Sequence, residues 1–219
     1  MHALYQLVAG PLAWAAFALF LGGLLYRLIQ LLMLVRNREP FISSYMSWRY
    51  SVRSIVHWLI PFGTVRWRTM PVLTVVTFAF HFCLLITPIF LLSHIVLWDE
   101  AWGLTWWALP DLLADIMCAT VIACCVFFAV RRFTQPEVRF VTDSSDYLIL
   151  LLTAAPFVTG FVAYHQWTEG VWMTILHMFS GEVMLAALPF TRLGHMMLGW
   201  LTRAYMGSEF GGVRHARDW

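Results

Sequence analysis

Four histidines, His81, His94, His177 and His195, lie in stretches that are otherwise almost wholly apolar. An ionisable ring inside a membrane span is expensive to place, so each points to a task. His177 and His195 are 18 residues apart. At 3.6 residues per turn that is five full turns, which puts both on one face of a continuous helix, about 27 Å apart along its axis. His81 and His94 come from a stretch that runs the opposite way. Depth alone then pairs His81 with His195 and His94 with His177. Two neutral imidazoles facing each other can take both axial positions of a haem iron, a ligation suited to electron transfer. Two such pairs stacked across a bilayer would form an electron wire.

The surrounding residues fit that chemistry. Gly181 and Gly199 each follow a histidine by one helical turn, where a missing side chain lets a flat macrocycle approach. Arg27 and Arg192 can donate charge-assisted hydrogen bonds to haem propionates. His81 and His94 are 13 residues apart, which rotates the second by about 140° on an ideal helix. Pro88 between them can kink or rewind the helix. His57 is the reserve if His94 is not the fourth ligand. Glu182, His165 and Tyr164 are candidates for exchanging protons with a quinone, since a bare carboxylate inside a span is costly. Asp111 and Asp115 read as an interface pair facing water. Cys83, Cys118, Cys124 and Cys125 read as small apolar fillers, with no Fe–S spacing among them.

The elements that must position these groups are membrane helices. The chain has 219 residues, 61% hydrophobic and 12% charged, against about a quarter charged in a soluble domain. That excludes a water-exposed globule, a disordered chain and a disulfide scaffold. Spans are expected near 7–35, 72–98, 108–130, 147–167 and 171–201, each long enough for a hydrocarbon core of about 30 Å. The predicted fold class is therefore an all-α integral membrane protein with five transmembrane helices, a single domain over 1–219, and haems between helices two and five. The beginning, Met1-His2-Ala3, lacks a basic n-region, so the first span is read as retained rather than as a signal peptide.

All 14 basic residues are arginines, and lysine is absent. Arg36, Arg38, Arg49, Arg53, Arg66 and Arg68 fall between spans one and two. Arg131, Arg132 and Arg139 fall between spans three and four, and Arg203, Arg214 and Arg217 after span five. The opposite side has none. The positive-inside rule then places the N-terminus outside and the C-terminus in the cytoplasm. Residues 40–70, which mix Trp48, Ile55 and Trp58 with arginines, read as a cytoplasmic segment lying on the membrane surface. Trp98, Trp102, Trp106 and Trp107 mark the outer interface.

Span five also carries a family resemblance. His177, Pro189-Phe190-Thr191-Arg192-Leu193-Gly194-His195 and Leu201-Thr202-Arg203-Ala204-Tyr205 resemble the fifth helix of the membrane cytochrome b subunit of respiratory nitrate reductase, the gamma-subunit family. Phe20-Leu21-Gly22 with Arg27 resembles that family's first helix. Arg131-Arg132, Pro136-Glu137-Val138-Arg139, Thr142 and Asp146-Tyr147-Leu148-Ile149-Leu150 resemble its third cytoplasmic-side connection. The resemblance spans nearly the whole chain. It implies ligand roles for His177, His195 and His81, while His94 matches by depth. The second-helix spacing is longer here, and a lysine of that family's quinol site has no counterpart. Phe80-His81-Phe82-Cys83-Leu84-Leu85, Pro88 and His94 look more like the related cytochrome b subunits of sulfate-reducer transmembrane redox complexes.

That resemblance implies a di-haem b cytochrome subunit of a respiratory redox complex in a bacterial or archaeal cytoplasmic (inner) membrane. Its cofactors would be two haem b groups, with menaquinone as the exchanging quinone in anaerobic respiration. Its partners would be a cytoplasmic Fe–S oxidoreductase subunit similar to heterodisulfide reductase, a periplasmic multihaem cytochrome c and ferredoxin-like subunits. The chain itself would transfer electrons and leave catalysis to a partner. The alternative is a haem-free membrane anchor or a small transporter subunit, although no internal repeat supports a transporter. No sequence feature recommends nucleic acid.

Overall fold

The computed structural model describes residues 2–219. Among them every regular element is helical and no strand occurs. In chain order the α-helices are α1 (His2–Leu7), α2 (Ala13–Arg38), α3 (Ile42–Tyr45), α4 (Trp48–Leu59), α5 (Val65–Thr69) and α6 (Pro71–Phe90). They continue as α7 (Leu92–Trp102), α8 (Asp111–Thr134), α9 (Pro136–Phe140), α10 (Ser144–Tyr164), α11 (Trp172–Ala187) and α12 (His195–Ser208). Five helical stretches among the described residues are long and apolar enough to cross a membrane: His2–Arg38, Pro71–Phe90, Asp111–Thr134, Ser144–Tyr164 and Trp172–Phe190. The chain is a multi-pass membrane protein by that measure. The first stretch stays helical through Pro11 by widening to a π-turn at Val8–Leu12, an adjustment that accommodates the missing proline N–H. Leu19, Leu21, Leu25, Leu32 and Leu34 on α2 are all exposed, as a helix that is apolar all round requires when its solvent is lipid.

Two of the expected spans are interrupted. The span expected over 72–98 stops at Phe90; Leu91 is extended, with φ −73 and ψ 128, and α7 then begins. A helix leaves its last four carbonyls without internal partners, and here three find partners outside it. Pro88 O accepts from His94 Nδ1, Ile89 O from Trp106 Nε1 at 2.9 Å, and Phe90 O from Leu109 N at 2.8 Å. The span expected over 171–201 also breaks. After α11 come two 3₁₀ turns, Leu188–Phe190 and Arg192–Gly194, before α12 begins at His195. Pro189 has no N–H to continue the ladder, and the extended Thr191 caps the second turn by accepting from Leu193 N at 3.3 Å. Helical periodicity therefore does not connect His177 to His195. The five-turn relation inferred from their spacing is corrected.

The helices gather into two contact units. The first comprises residues 75–181 with 2–5. Its core is Phe80, Cys83, Leu109, Ala114, Met117, Val121, Cys124, Cys125 and Phe157. Phe80 meets Phe128 edge-on at 5.3 Å. The thiols of Cys118 and Cys124 donate to the carbonyls of Phe157 (3.4 Å) and Val76 (3.7 Å), and all four cysteines are free thiols. Helix α10 starts at a reciprocal cap: Asp143 accepts from Ser145 N, and the Asp146 carboxylate accepts from Asp143 N at 3.0 Å.

The second unit comprises residues 6–74 and 182–219. Gly23 on α2 leaves room for Pro189, whose Cγ would lie 2.5 Å from any Cβ there. Within residues 40–70, α4 packs through small side chains onto α12. Ser51 donates to Ala204 O at 2.9 Å, and Gly207 sits against Ser54 and the Tyr50 carbonyl. Such small-residue seams let helix backbones approach closely. Trp48, the first residue of α4, is 84% exposed. The last residues fold back onto this pair. Asp218 ion-pairs with Arg203 at 2.8 Å and accepts from Ser54, while Trp219 stacks on His57 at 4.2 Å beneath the Arg53 guanidinium. Tyr205 is hydrogen-bonded to Tyr45, is partly desolvated and lies beside Glu209, which together push its ionisation above the ordinary phenol range.

Candidate functional site

In the first unit His94 comes from α7 and His177 from α11. Their ring centroids are 5.9 Å apart and their planes lie within 15° of parallel. Two metal–nitrogen bonds of about 2 Å, with about 1 Å more from each nitrogen to its ring centre, put two axial imidazoles about 6 Å apart. The pair therefore fits the two-sided ligation of one iron. Among the described residues no three or more His, Cys, Asp or Glu side chains gather as for a closed metal site, but axial haem ligation takes only two.

What orients the rings is the peptide backbone. His94 Nδ1 donates to Pro88 O and His177 Nδ1 to Pro156 O, each at 2.8 Å. His81 Nδ1 donates to Thr77 O and His195 Nδ1 to Arg192 O, also at 2.8 Å. All four candidate ligands thus place the proton on Nδ1 and leave Nε2 as the nitrogen that carries the lone pair. This is how protein-bound metals usually receive histidine, with the second nitrogen anchored to a carbonyl or carboxylate.

Two of the anchoring carbonyls have a local reason to be available. Pro88 lies in the last turn of α6, just before the Leu91 break. Pro156 lies in mid-helix, but Gly160 stands one turn beyond it, where a side chain would cover its carbonyl. A Cβ at Gly160 would fall 2.8 Å from His177 Nδ1 and Cε1. Thr159 Oγ1 and Ser180 Oγ, 3.2 Å apart, close the same α10–α11 seam. Gly160 was not among the residues singled out from sequence. The signal for it was there in a proline and a glycine four residues apart within one span.

A protein of Nitratidesulfovibrio vulgaris (strain Hildenborough) is 36% identical over 214 residues, covering 94% of this chain and 93% of the relative. The chain belongs to that protein's family. No family model matches the chain, and no solved structure matches it.

The other candidates in this family member are placed as follows. Arg27, in the second unit, donates from Nη1 to Gln30 at 3.0 Å, while its buried Nε has no hydrogen-bond partner among the described residues. An orphaned guanidinium N–H of this kind suits a propionate oxygen. Arg192 opens the 3₁₀ turn before His195 and orients that ring through its own carbonyl. A Cβ at Gly181 or at Gly199 would meet nothing within 4 Å, so the space beside each is not filled by this chain. Glu182 is 8% exposed, and its Oε2 lacks a hydrogen-bond partner among the described residues. His57, the reserve ligand, stacks on Trp219.

Asp115 was expected to face water with Asp111. The Asp115 side chain is 31% exposed, and its Oδ1 also lies 3.3 Å from His165 Nε2. Tyr164, the neighbour of His165, is hydrogen-bonded to Asp111. The first two turns of α8 and the end of α10 therefore form one polar cluster.

Proposed function

We propose that this chain is the di-haem b cytochrome subunit of a membrane-bound respiratory redox complex. It carries electrons across the membrane between a quinone pool (menaquinone) or a periplasmic multihaem cytochrome c and a cytoplasmic Fe–S oxidoreductase subunit with its ferredoxin-like neighbours. The observation that carries this reading is the facing His94–His177 pair at 5.9 Å, each ring held by a backbone carbonyl. The same Nδ1 anchoring in His81 and His195 supports a second site. When bound, the two haems supply reversible one-electron iron chemistry at potentials set by their axial ligands.

The chain's own residues do the rest. The four histidines would hold the two irons through Nε2, and the carbonyls of Thr77, Pro88, Pro156 and Arg192 hold the tautomer. Arg27 and Arg192 are assigned to propionates, and Gly181 and Gly199 to macrocycle clearance. The arginine distribution supports an outside N-terminus and a cytoplasmic C-terminus, in a bacterial or archaeal inner membrane.

A pyridine haemochrome assay of the purified protein decides the matter, with about two b-type haems expected per chain. His177→Ala and His195→Ala should each remove one haem, leaving survivors of different potential. A folded, purified chain without haem overturns the reading and leaves the membrane anchor or transporter in its place.

A further inference from the structure

His165 is wired the opposite way from the four candidate ligands. They give Nδ1–H to a peptide carbonyl, whereas His165 turns Nε2 towards a carboxylate, Asp115 Oδ1, at 3.3 Å. A carboxylate on that side draws the proton to Nε2 and leaves Nδ1 as the basic atom, the division of labour found wherever an acid orients a histidine base. The two atoms lie within ion-pair distance, with no aligned hydrogen bond on Nε2 among the described residues.

The surroundings are built around this ring. Phe161, Tyr164 and Trp167 lie 4.5, 5.3 and 5.8 Å from it, centroid to centroid. Gln166, at φ 52, turns the chain so that Trp167 returns onto Phe161 and His165. The other titratable groups facing the cluster are Asp111, which bonds Tyr164, and Cys118, one turn beyond Asp115 on α8. The His165 and Asp115 side chains are 30% and 31% exposed, so a proton taken there can leave to water. Flat aromatic walls, a base and a phenol suit a planar ring bearing hydroxyls.

We propose that His165, oriented by Asp115, is the proton acceptor for a redox carrier of the hydroquinone class bound at the α8–α10 end of the first unit. When a carrier O–H bond breaks, its proton passes to His165 Nδ1 and the bonding pair stays on oxygen. The imidazolium then releases the proton to water, and the second hydroxyl follows by the same path. The carrier's two electrons leave singly to a one-electron acceptor of the cytochrome class; for that acceptor alone the proposal rests on the function proposed above. Asp115 is a positioning residue.

The test uses the full-length protein in detergent, with 2-heptyl-4-hydroxyquinoline N-oxide as the binding probe (fluorescence quenching) and menadiol as reductant. His165→Leu should weaken probe binding on the order of tenfold, since the site loses its polar partner. Asp115→Asn and His165→Gln should keep binding and haem content but slow menadiol-driven haem reduction on the order of tenfold, with dithionite reduction unchanged. Asp115→Glu should recover the rate, and added imidazole should partly rescue His165→Ala. Failure of the native protein to bind the probe, or native reduction rates in Asp115→Asn and His165→Gln, overturns the proposal. A haem-free preparation that still binds the probe through His165 sinks the cytochrome reading and leaves this site standing.

Discussion

The His177 ring rests on Gly160, close enough that a Cβ at position 160 would fall 2.8 Å from Nδ1. Gly160→Ala should therefore push the ring off the Pro156 carbonyl and lower haem content by about half if each pair holds one haem. Gly22→Ala, where nothing lies within 4 Å of the new methyl, is the matched control. It should leave the haem spectrum intact and stabilise the helix slightly, by up to about 1 kcal/mol.

Trp106 supplies the hydrogen bond that occupies Ile89 O at the α6 break. Trp106→Phe keeps most of the ring and removes the donor. Losing this exposed hydrogen bond should cost about 0.5–1.5 kcal/mol, read as a lower Tm. Because Pro88 O in the same turn anchors His94, the spectrum of a haem held by His94 and His177 should change, and that of a haem held elsewhere should not.

On the α4–α12 seam, a Cβ at Gly207 would come 2.6 Å from Tyr50 O and closer still to Ser54. Gly207→Ala should destabilise this packing by about 1–3 kcal/mol through overpacking. Hydrogen exchange of residues 48–59 should rise, while exchange in α8 and α10 stays at the native level.

Asp218 has a side chain only 1% exposed and meets Arg203, itself 14% exposed. Asp218→Asn leaves that guanidinium with no counter-charge, a loss of about 3–5 kcal/mol for a buried pair broken on one side. Replacing both partners with apolar residues of similar size should cost less than Asp218→Asn alone. Denaturation midpoints of the two variants compare them directly, and equal losses would argue against an uncompensated charge.

Much of the architecture is legible in residue types. Five long apolar stretches, spaced by arginines and lacking lysine, are enough to identify a multi-pass helical membrane chain, because lipid accepts little else. The histidines could be singled out for a similar reason, since an imidazole among leucines needs a partner. The breaks inside the spans were not legible. Leu91 is extended because Trp106 Nε1 and Leu109 N, far along the chain, occupy the carbonyls that a continuing helix would have used. Pro88 alone does not announce that outcome.

The sequence by itself determined the residues available for chemistry and the helical class that holds them, both set by local apolarity and charge. Only the tertiary structure decided which of them face each other. It placed His94 against His177, seated that ring on Gly160, and brought Asp115 to His165. It also separated His177 from His195 by two 3₁₀ turns. Each of these depends on a crossing between helices or on a donor from another part of the chain. Spacing along one helix carries no record of either.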